Sequence, residues 1–274
     1  MEIKEQNRDE RSVVQGNKLI VSTSNAMKTN QLKILYFLIS CIQREDELFF
    51  PIEVDYHTLL TFIDYDTNKG GKKAYLTELL EDMANKSYYV YTQDRITVYP
   101  WFGVIQIDRN LAAGRVVFKF NEDLSKYLLQ QTRNFTQYQY GFICSMSSTH
   151  AIKLYNLLRS FAFCGSAEFT LTKIRQTMNF LNPKSGNDKY KDYKSLSKYV
   201  LAEATKKIND NTDISVRYEP MKSPEDRRKV VGVRFYIKRN CDAVPTSLPR
   251  ISTTLIEDEG FDRPVRRVTL QDED

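Results

Sequence analysis

The spacing of hydrophobic residues changes several times along the first half of the chain. Leu32, Leu35, Tyr36, Ile39 and Ile42 recur every three or four residues, which predicts an amphipathic helix capped by Thr29 or Asn30. The same spacing predicts helices at 56–63, 72–85 and 121–129, and runs rich in Val, Ile, Tyr and Phe predict strands at 49–54, 87–91, 96–99, 104–107 and 116–120. Three helices followed by a strand hairpin is the order of a winged helix.

The second half repeats this order. Helices are predicted at about 149–163, 171–180 and 190–209, with strands at 169–171, 214–218 and 230–237. The pattern therefore predicts an α+β chain with two tandem winged-helix (winged helix-turn-helix) domains, at 17–139 and 140–240. Residues 1–16 are polar without a sustained period and predict a flexible arm. Residues 241–274 are rich in Pro, Thr and acidic residues and predict a disordered acidic tail.

Composition narrows the class of protein. The chain has 274 residues, of which 41% are hydrophobic and 12% aromatic, enough for real cores. It contains no apolar run of about eighteen residues, and residues 1–6 lack the apolar region of a signal peptide. We therefore expect a soluble, cytoplasmic protein with no membrane contact.

Charge is distributed unevenly. The net charge is +5, but residues 140–240 hold 19 basic and 9 acidic residues, whereas residues 17–139 hold 14 of each and residues 241–274 hold 4 basic and 8 acidic. The positive excess lies in one stretch of about a hundred residues, which favours a polyanionic partner.

The reactive side chains do not form a recognisable catalytic or metal-binding motif. The four cysteines are far apart, and Cys41, Cys144 and Cys164 lie among apolar or small neighbours, as in packed thiols. The two histidines, His57 and His150, lie in separate segments and favour capping or packing roles. The Gly70–Lys73 segment lacks the first glycine and the Ser/Thr of a phosphate-binding loop. We predict no enzyme, no catalytic residue, no cofactor and no metal.

The predicted helix at 190–209 has two distinct faces. Leu196, Val200, Ala204 and Ile208 recur every four residues and form a core stripe. On the opposite side lie lysines and small residues that could approach a DNA groove, namely Lys191, Ser195, Lys198 and Ala202, flanked by Lys194 and Lys206. An ordinary solvated lysine face remains open, although the basic loop before this helix and the basic hairpin tip after it favour nucleic acid.

Three stretches in this second half carry a resemblance to a known family. They are Ser147–Arg159, Tyr190–Leu201 and the helix-to-hairpin junction Ala204–Ile214. Together they resemble the theta-type Rep family of iteron-binding plasmid replication initiators. The match over 17–139 is looser, and the resemblance does not extend to the tail.

The resemblance implies a fold and a set of DNA-binding residues. The family has two winged-helix domains, of which the second is the stronger reader of origin repeats (iterons) in double-stranded DNA. Mapped onto this chain, the major-groove residues are Lys189, Lys191, Lys194, Ser195 and Lys198, and the phosphate-binding residues of the hairpin tip (the wing) are Arg227, Arg228 and Lys229.

In the first domain, Lys69, Lys72 and Lys73 lie at a helix N-terminus that favours phosphate. The outer face of that helix then turns acidic, so we do not expect it to enter a groove.

The resemblance also implies partners and a reaction sequence. Monomers would bind the repeats, help to open the origin and recruit a host replication initiator and helicase. Homodimers formed through the first domain would repress the protein's own gene. The alternatives are a winged-helix transcription regulator without a replication role, a DNA nickase or endonuclease, and a module whose basic face binds acidic proteins.

Overall fold

The computed structural model describes residues 4–6, 11–25, 27–63, 71–91, 94–108, 114–181 and 189–271. The α-helices in these ranges are α1 (Asn17–Ser22), α2 (Thr29–Ser40), α3 (Tyr56–Phe62), α4 (Lys72–Ala84), α5 (Ser125–Leu128), α6 (Gly141–Cys144), α7 (Thr149–Arg159), α8 (Leu171–Thr177), α9 (Tyr193–Leu196) and α10 (Ala202–Asn211). The strands are β1 (Lys4–Gln6), β2 (Ser12–Gly16), β3 (Thr23–Asn25), β4 (Ile52–Asp55), β5 (Ser87–Tyr91), β6 (Ile96–Pro100), β7 (Phe102–Ile107), β8 (Arg115–Phe120), β9 (Phe135–Gln139), β10 (Ser166–Thr170), β11 (Ile214–Lys222), β12 (Val230–Arg239), β13 (Ile251–Ile256) and β14 (Val265–Leu270).

The second unit has the predicted winged-helix order. α7 leads through β10 and α8 to a long helix over 193–211, in which α9, a π-helical turn (Ser197–Leu201) and α10 follow one another directly. The β11–β12 hairpin closes the unit, and β12 lies between β10 and β11 with both neighbours antiparallel. The hairpin buries alternate residues of β12, Val233, Phe235 and Ile237, because successive strand residues point to opposite faces.

The first unit has the same sheet order with an extra hairpin inserted. β4 pairs with β8 and β8 with β7, so the order β4-β8-β7 repeats β10-β12-β11. The hairpin that directly follows α4, β5–β6, instead pairs with β3 in a separate three-stranded sheet. The hairpin that closes this winged helix is thus β7–β8, the second strand pair of the sequence prediction rather than the first.

The prediction of a flexible arm at 1–16 is wrong for the residues that the structure describes. β2 pairs antiparallel with β9 along its whole length, and β1 pairs with β13. Val13 and Gln15 are buried, and Arg11 is only 1% exposed. The polar composition concealed a strand because only two of its five residues are apolar and the partner strand lies more than a hundred residues away.

The prediction of a disordered tail at 241–274 is also wrong, at least for 251–270. β13 and β14 form a hairpin, and β14 pairs in parallel with β4, which extends the sheet of the first unit to six strands. Ile251, Thr253, Val265 and Val268 are buried in it. Ile251 and Thr253 follow the spacing of two that is typical of a strand, a signal that the acidic, Pro- and Thr-rich composition obscured.

A buried polar cluster joins the two units. Asn156 of α7 accepts hydrogen bonds from the Tyr138 hydroxyl at 3.0 Å and from Gln15 at 3.2 Å, and its amide donates to the Tyr36 hydroxyl at 3.0 Å. Burial raises the pKa of Tyr36 and of Tyr138 far above the usual value, so both hydroxyls stay protonated and can donate. Nearby, the hydroxyls of Thr29 and Thr149 lie 2.8 Å apart. The boundary at 139/140 remains a prediction.

Candidate nucleic-acid interface

The long helix of the second unit begins at Tyr193, three residues later than predicted. The Asp192 carboxylate accepts a hydrogen bond from Ser195 N at 2.8 Å and is the N-cap, and this bond holds the pKa of Asp192 below its usual range. Tyr190 has a left-handed φ of 54°, and its carbonyl accepts from Arg175 Nε at 2.9 Å. Lys189 and Lys191 are therefore exposed residues of the approach to the helix and do not belong to its face.

The predicted core stripe of this helix is confirmed. Leu196, Val200, Ala204 and Ile208 are all 0–1% exposed. A repeat of four residues exceeds the 3.6-residue period of a straight α-helix and would drift around its surface. The wider π-helical turn at Ser197–Leu201 compensates for this drift, and it keeps both the stripe and the opposite face in register along the helix.

Positive charge is concentrated in the first half of the exposed face. Lys194 and Lys198 are exposed, and Ser195 between them is half-buried. Further along, Lys206 pairs with Asp210 at 2.6 Å and Lys207 with Glu203 at 3.2 Å. Neighbouring carboxylates thus neutralise the second half of the helix, so an anion would approach the first half.

Tyr199 is a candidate that the sequence prediction omitted. Its side chain is 54% exposed, and the Lys198 ammonium lies 4.9 Å from its ring centroid. The ring also lies 6.4 Å from that of Tyr190. Tyr199 follows Ser195 by four residues, so helical spacing alone could have assigned it to the outward face.

The hairpin tip of the second unit carries the three predicted cations. Arg227, Arg228 and Lys229 are exposed, in a turn where Asp226 accepts bonds from Arg228 N and Lys229 N, both at 2.9 Å. Lower on the hairpin, Arg234 lies 2.7 Å from Glu168 and 3.5 Å from Glu219. The tip thus presents three exposed cations, whereas Arg234 on the strands lies beside two carboxylates.

The predicted site in the first unit is only partly described. Lys69 lies outside the described residues, as does the loop 182–188 before the long helix. Lys72 and Lys73 are exposed in the first turn of α4, whose N-cap, Gly71, has a φ of 78° that favours glycine.

The outer face of α4 is acidic, as expected. Glu78 and Glu81 are exposed. Asp82 accepts bonds from Lys86 at 2.7 Å and Gln31 at 2.8 Å, which lower its pKa.

The histidines and cysteines occupy separate places. His57 is exposed on α3, whereas His150 packs edge-on against Phe180 at 5.2 Å, and burial together with the nearby Lys153 lowers its pKa. Cys164 is exposed, so its predicted packing role is wrong. Within the described ranges, no three His, Cys, Asp or Glu side chains come together as a metal site, and no helix is long and apolar enough to cross a membrane.

Comparisons with known proteins support this picture. A family model described as "Initiator Replication protein, WH1" matches residues 12–159, and one described as "Initiator Rep protein, WH2" matches residues 183–237. No curated protein matches the chain. Among solved structures, the Pi initiator protein in complex with iteron DNA superposes with a TM-score of 0.69 at 16% identity, over 86% of this chain and 100% of that one. At this identity the superposition shows a shared fold.

Proposed function

Because the chain belongs to the initiator replication protein family, we propose that it binds repeated sequences (iterons) at a plasmid origin and initiates replication there. The observation that carries the proposal is the exposed face of Lys194, Ser195 and Lys198 on the first half of helix 193–211, within a unit of net charge +10. The Pi initiator protein, which has the same fold, was crystallised with iteron DNA.

Each part of the second unit has a distinct role in this proposal. Helix 193–211 lies in the major groove of double-stranded DNA, and its first half is the part that enters the groove. There Lys194 and Lys198 reach base edges, and the small side chain of Ser195 allows close approach. Lys189 and Lys191, just before the helix, contact the phosphates that flank the groove. Arg227, Arg228 and Lys229 contact phosphates further along and set the orientation of the unit.

The first unit adds non-specific contacts. Lys72 and Lys73 lie in the first turn of α4, where the backbone N–H groups and the helix dipole attract phosphate. The acidic residues Glu78 and Glu81 then keep the rest of this helix out of the groove. Sequence selectivity comes mainly from the second unit.

The proposal extends to the later steps that the resemblance to the family implies. Monomers bound to the repeats help to open the origin and recruit the host replication initiator and helicase in the bacterial cytoplasm. A homodimer formed through the first unit represses the protein's own gene. The chain itself carries out no covalent chemistry, so incubation with supercoiled origin DNA and Mg²⁺ should leave both strands intact.

A replication assay separates an initiator from a transcription regulator. The gene and its flanking DNA are joined to a selectable marker on a circle without another origin, and transformants are counted. We expect autonomous replication, and its loss when Lys194 and Lys198 are both changed to Ala. Lys206→Ala is the matched control, because Lys206 is already paired with Asp210. Intact repression without replication would instead identify a regulator.

A further inference from the structure

The chain after the second unit crosses back to the first. Residues 241–250, which we call the strap, lead from the end of β12 to the β13–β14 hairpin in the sheet of the first unit. Neither family model covers residues 241–271. The role of the strap and hairpin is therefore inferred from this chain's own contacts.

The strap begins at an anchor in the second unit. Asn240 N donates to the carbonyl of Asp213 at 2.8 Å. The Asp213 side chain is held by α7, through the Tyr155 hydroxyl at 2.8 Å and Arg159 Nε at 2.8 Å. The start of the strap is thus tied to a buried helix of the second unit.

The middle of the strap is pressed against the junction between the units. A Cβ at Gly141 would lie 2.7 Å from the carbonyl oxygen of Thr246 and 2.8 Å from Pro245 Cβ, so only glycine fits beneath the strap. Leu248 is buried, and Arg11 donates to the carbonyl of Pro249 while its guanidinium lies 4.9 Å from the Phe62 ring centroid. The strap therefore contacts the junction at Pro245, Thr246, Leu248 and Pro249, whereas Val244 is exposed.

The hairpin is fastened to the first unit by buried charge. Arg266 is 3% exposed and binds both oxygens of Asp46, at 2.7 and 2.8 Å, and the carbonyl of Cys41 at 2.9 Å. β14 also pairs in parallel with β4. These contacts anchor the far end of the strap independently of the second unit.

We propose that residues 241–271 act as a clamp that holds the two winged-helix units in one relative position and so sets the spacing at which the chain reads DNA. The remaining contacts between the units include the hydrogen bond between the Thr29 and Thr149 hydroxyls and the buried cluster in which Asn156 bonds to Gln15, Tyr36 and Tyr138. The clamp adds a covalent connection that is anchored at both ends, by the Asn240–Asp213 bond in the second unit and by the buried Arg266–Asp46 pair in the first. Its role in DNA reading rests on the proposed function, whereas its effect on the position of the units does not.

Cutting the strap tests the clamp within one protein. A site-specific protease sequence is inserted at Val244, which is 87% exposed, and spin labels are placed at Cys164 in the second unit and at Glu81→Cys in the first, with Cys241→Ser. The label-to-label distance distribution is measured by pulsed EPR before and after cleavage. We expect a narrow distribution that broadens on cleavage. An unchanged distribution would overturn the proposal.

A glycine substitution gives a second test without a cut. Gly141→Ala forces the strap away from the junction and should also broaden the distribution. Gly103→Ala is the matched control, because its added Cβ has no neighbour closer than 3.9 Å. Equal distributions for both variants and the parent would contradict the clamp.

DNA binding provides a separate readout. Cleavage should weaken binding to the plasmid's own origin repeat by about tenfold, because two units that are no longer held in the bound arrangement must be ordered on the DNA. If the uncut chain showed no preference for the repeat, the proposed function would fail, while the distance measurement would still decide the clamp.

Discussion

At the scale of single residues, the lysines of helix 193–211 differ in what surrounds them. Lys206 and Lys207 each lie within 3.2 Å of a carboxylate one turn away, whereas Lys198 faces the ring of Tyr199. The core stripe of this helix was predictable from the four-residue repeat of hydrophobic residues. The ion pairs on the second half were visible as i, i+4 spacings, and they restrict the useful positive charge to the first half.

Lys198→Ala tests this distinction. If Lys198 reads a base, the substitution should weaken binding to the origin repeat by about 1–3 kcal/mol and relax selectivity at one position of the repeat. Lys206→Ala should change affinity far less, since that charge is already neutralised. Dissociation constants from fluorescence anisotropy on repeat and single-substitution duplexes measure both effects, and equal weakening by the two substitutions would argue against the assignment.

Lys153 is a residue whose charge opposes folding. It is 6% exposed on α7, and burial lowers its pKa to about 7. The pKa of a lysine in an unfolded chain is about 10.4. Between these two pKa values the unfolded state binds more protons than the folded state, so the free energy of unfolding rises with pH.

Lys153→Met should remove this penalty. We expect the free energy of unfolding at about pH 7 to rise by about 1 kcal/mol or more, and its increase between about pH 7 and pH 9.5 to become smaller. Urea denaturation at both pH values measures this, with the exposed Lys238→Met as control. A destabilised Lys153→Met variant would show that the charged form is stabilised in the fold.

At the scale of elements, local patterns were readable and distant pairings were not. The helix begins after Asp192 because the Asp192 carboxylate caps it by accepting a hydrogen bond from Ser195 N. An Asp at this position is an N-cap signal in the sequence, but the basic residues around it drew attention away from it. The insertion of β5–β6 before the β7–β8 hairpin could not be predicted from the sequence, because both strand pairs have the same hydrophobic pattern. Only the pairing of β8 with β4 shows which of them closes the winged helix.

The hairpin tip offers a prediction about salt. Replacing Arg227, Arg228 and Lys229 together with Ala should weaken binding to repeat and shuffled DNA by similar factors. The slope of log affinity against log salt should fall by about one for each phosphate that the tip no longer neutralises. Titrations at several salt concentrations measure the slope, with Lys222→Ala at the base of the tip as control. Weaker binding to the repeat alone would indicate base reading by the tip.

At the scale of the whole molecule, both ends of the described chain return to the first unit. β1 pairs with β13, and β14 pairs with β4, so the six-stranded sheet combines strands from the start, the first unit and the end of the sequence. The composition of the last 34 residues predicts a disordered acidic tail. In the structure, arginines of this segment form ion pairs with Asp46, Glu53 and Glu122, which no local pattern could reveal.

Arg266→Met tests how the hairpin is held. Removing this arginine leaves the Asp46 carboxylate buried without its bidentate partner, and we expect the free energy of unfolding to fall by about 3–5 kcal/mol. Arg263→Met is the matched control in the same hairpin. Its partner Glu122 is 52% exposed, so we expect a decrease of about 1 kcal/mol or less from that pair. Similar decreases for both variants would contradict the buried anchor.

The central claim is that the first half of helix 193–211 reads the sequence of origin repeats. Competition binding tests this claim most directly. The wild-type chain is first bound to a labelled duplex taken from the repeats beside its own gene. Unlabelled repeat duplex, or a shuffled duplex of equal length, is then added as competitor. We predict that the repeat competes at least about a thousandfold better than the shuffled duplex, and that this ratio collapses when Lys194 and Lys198 are changed to Ala. Equal competition by the two duplexes with the wild-type chain would contradict the claim.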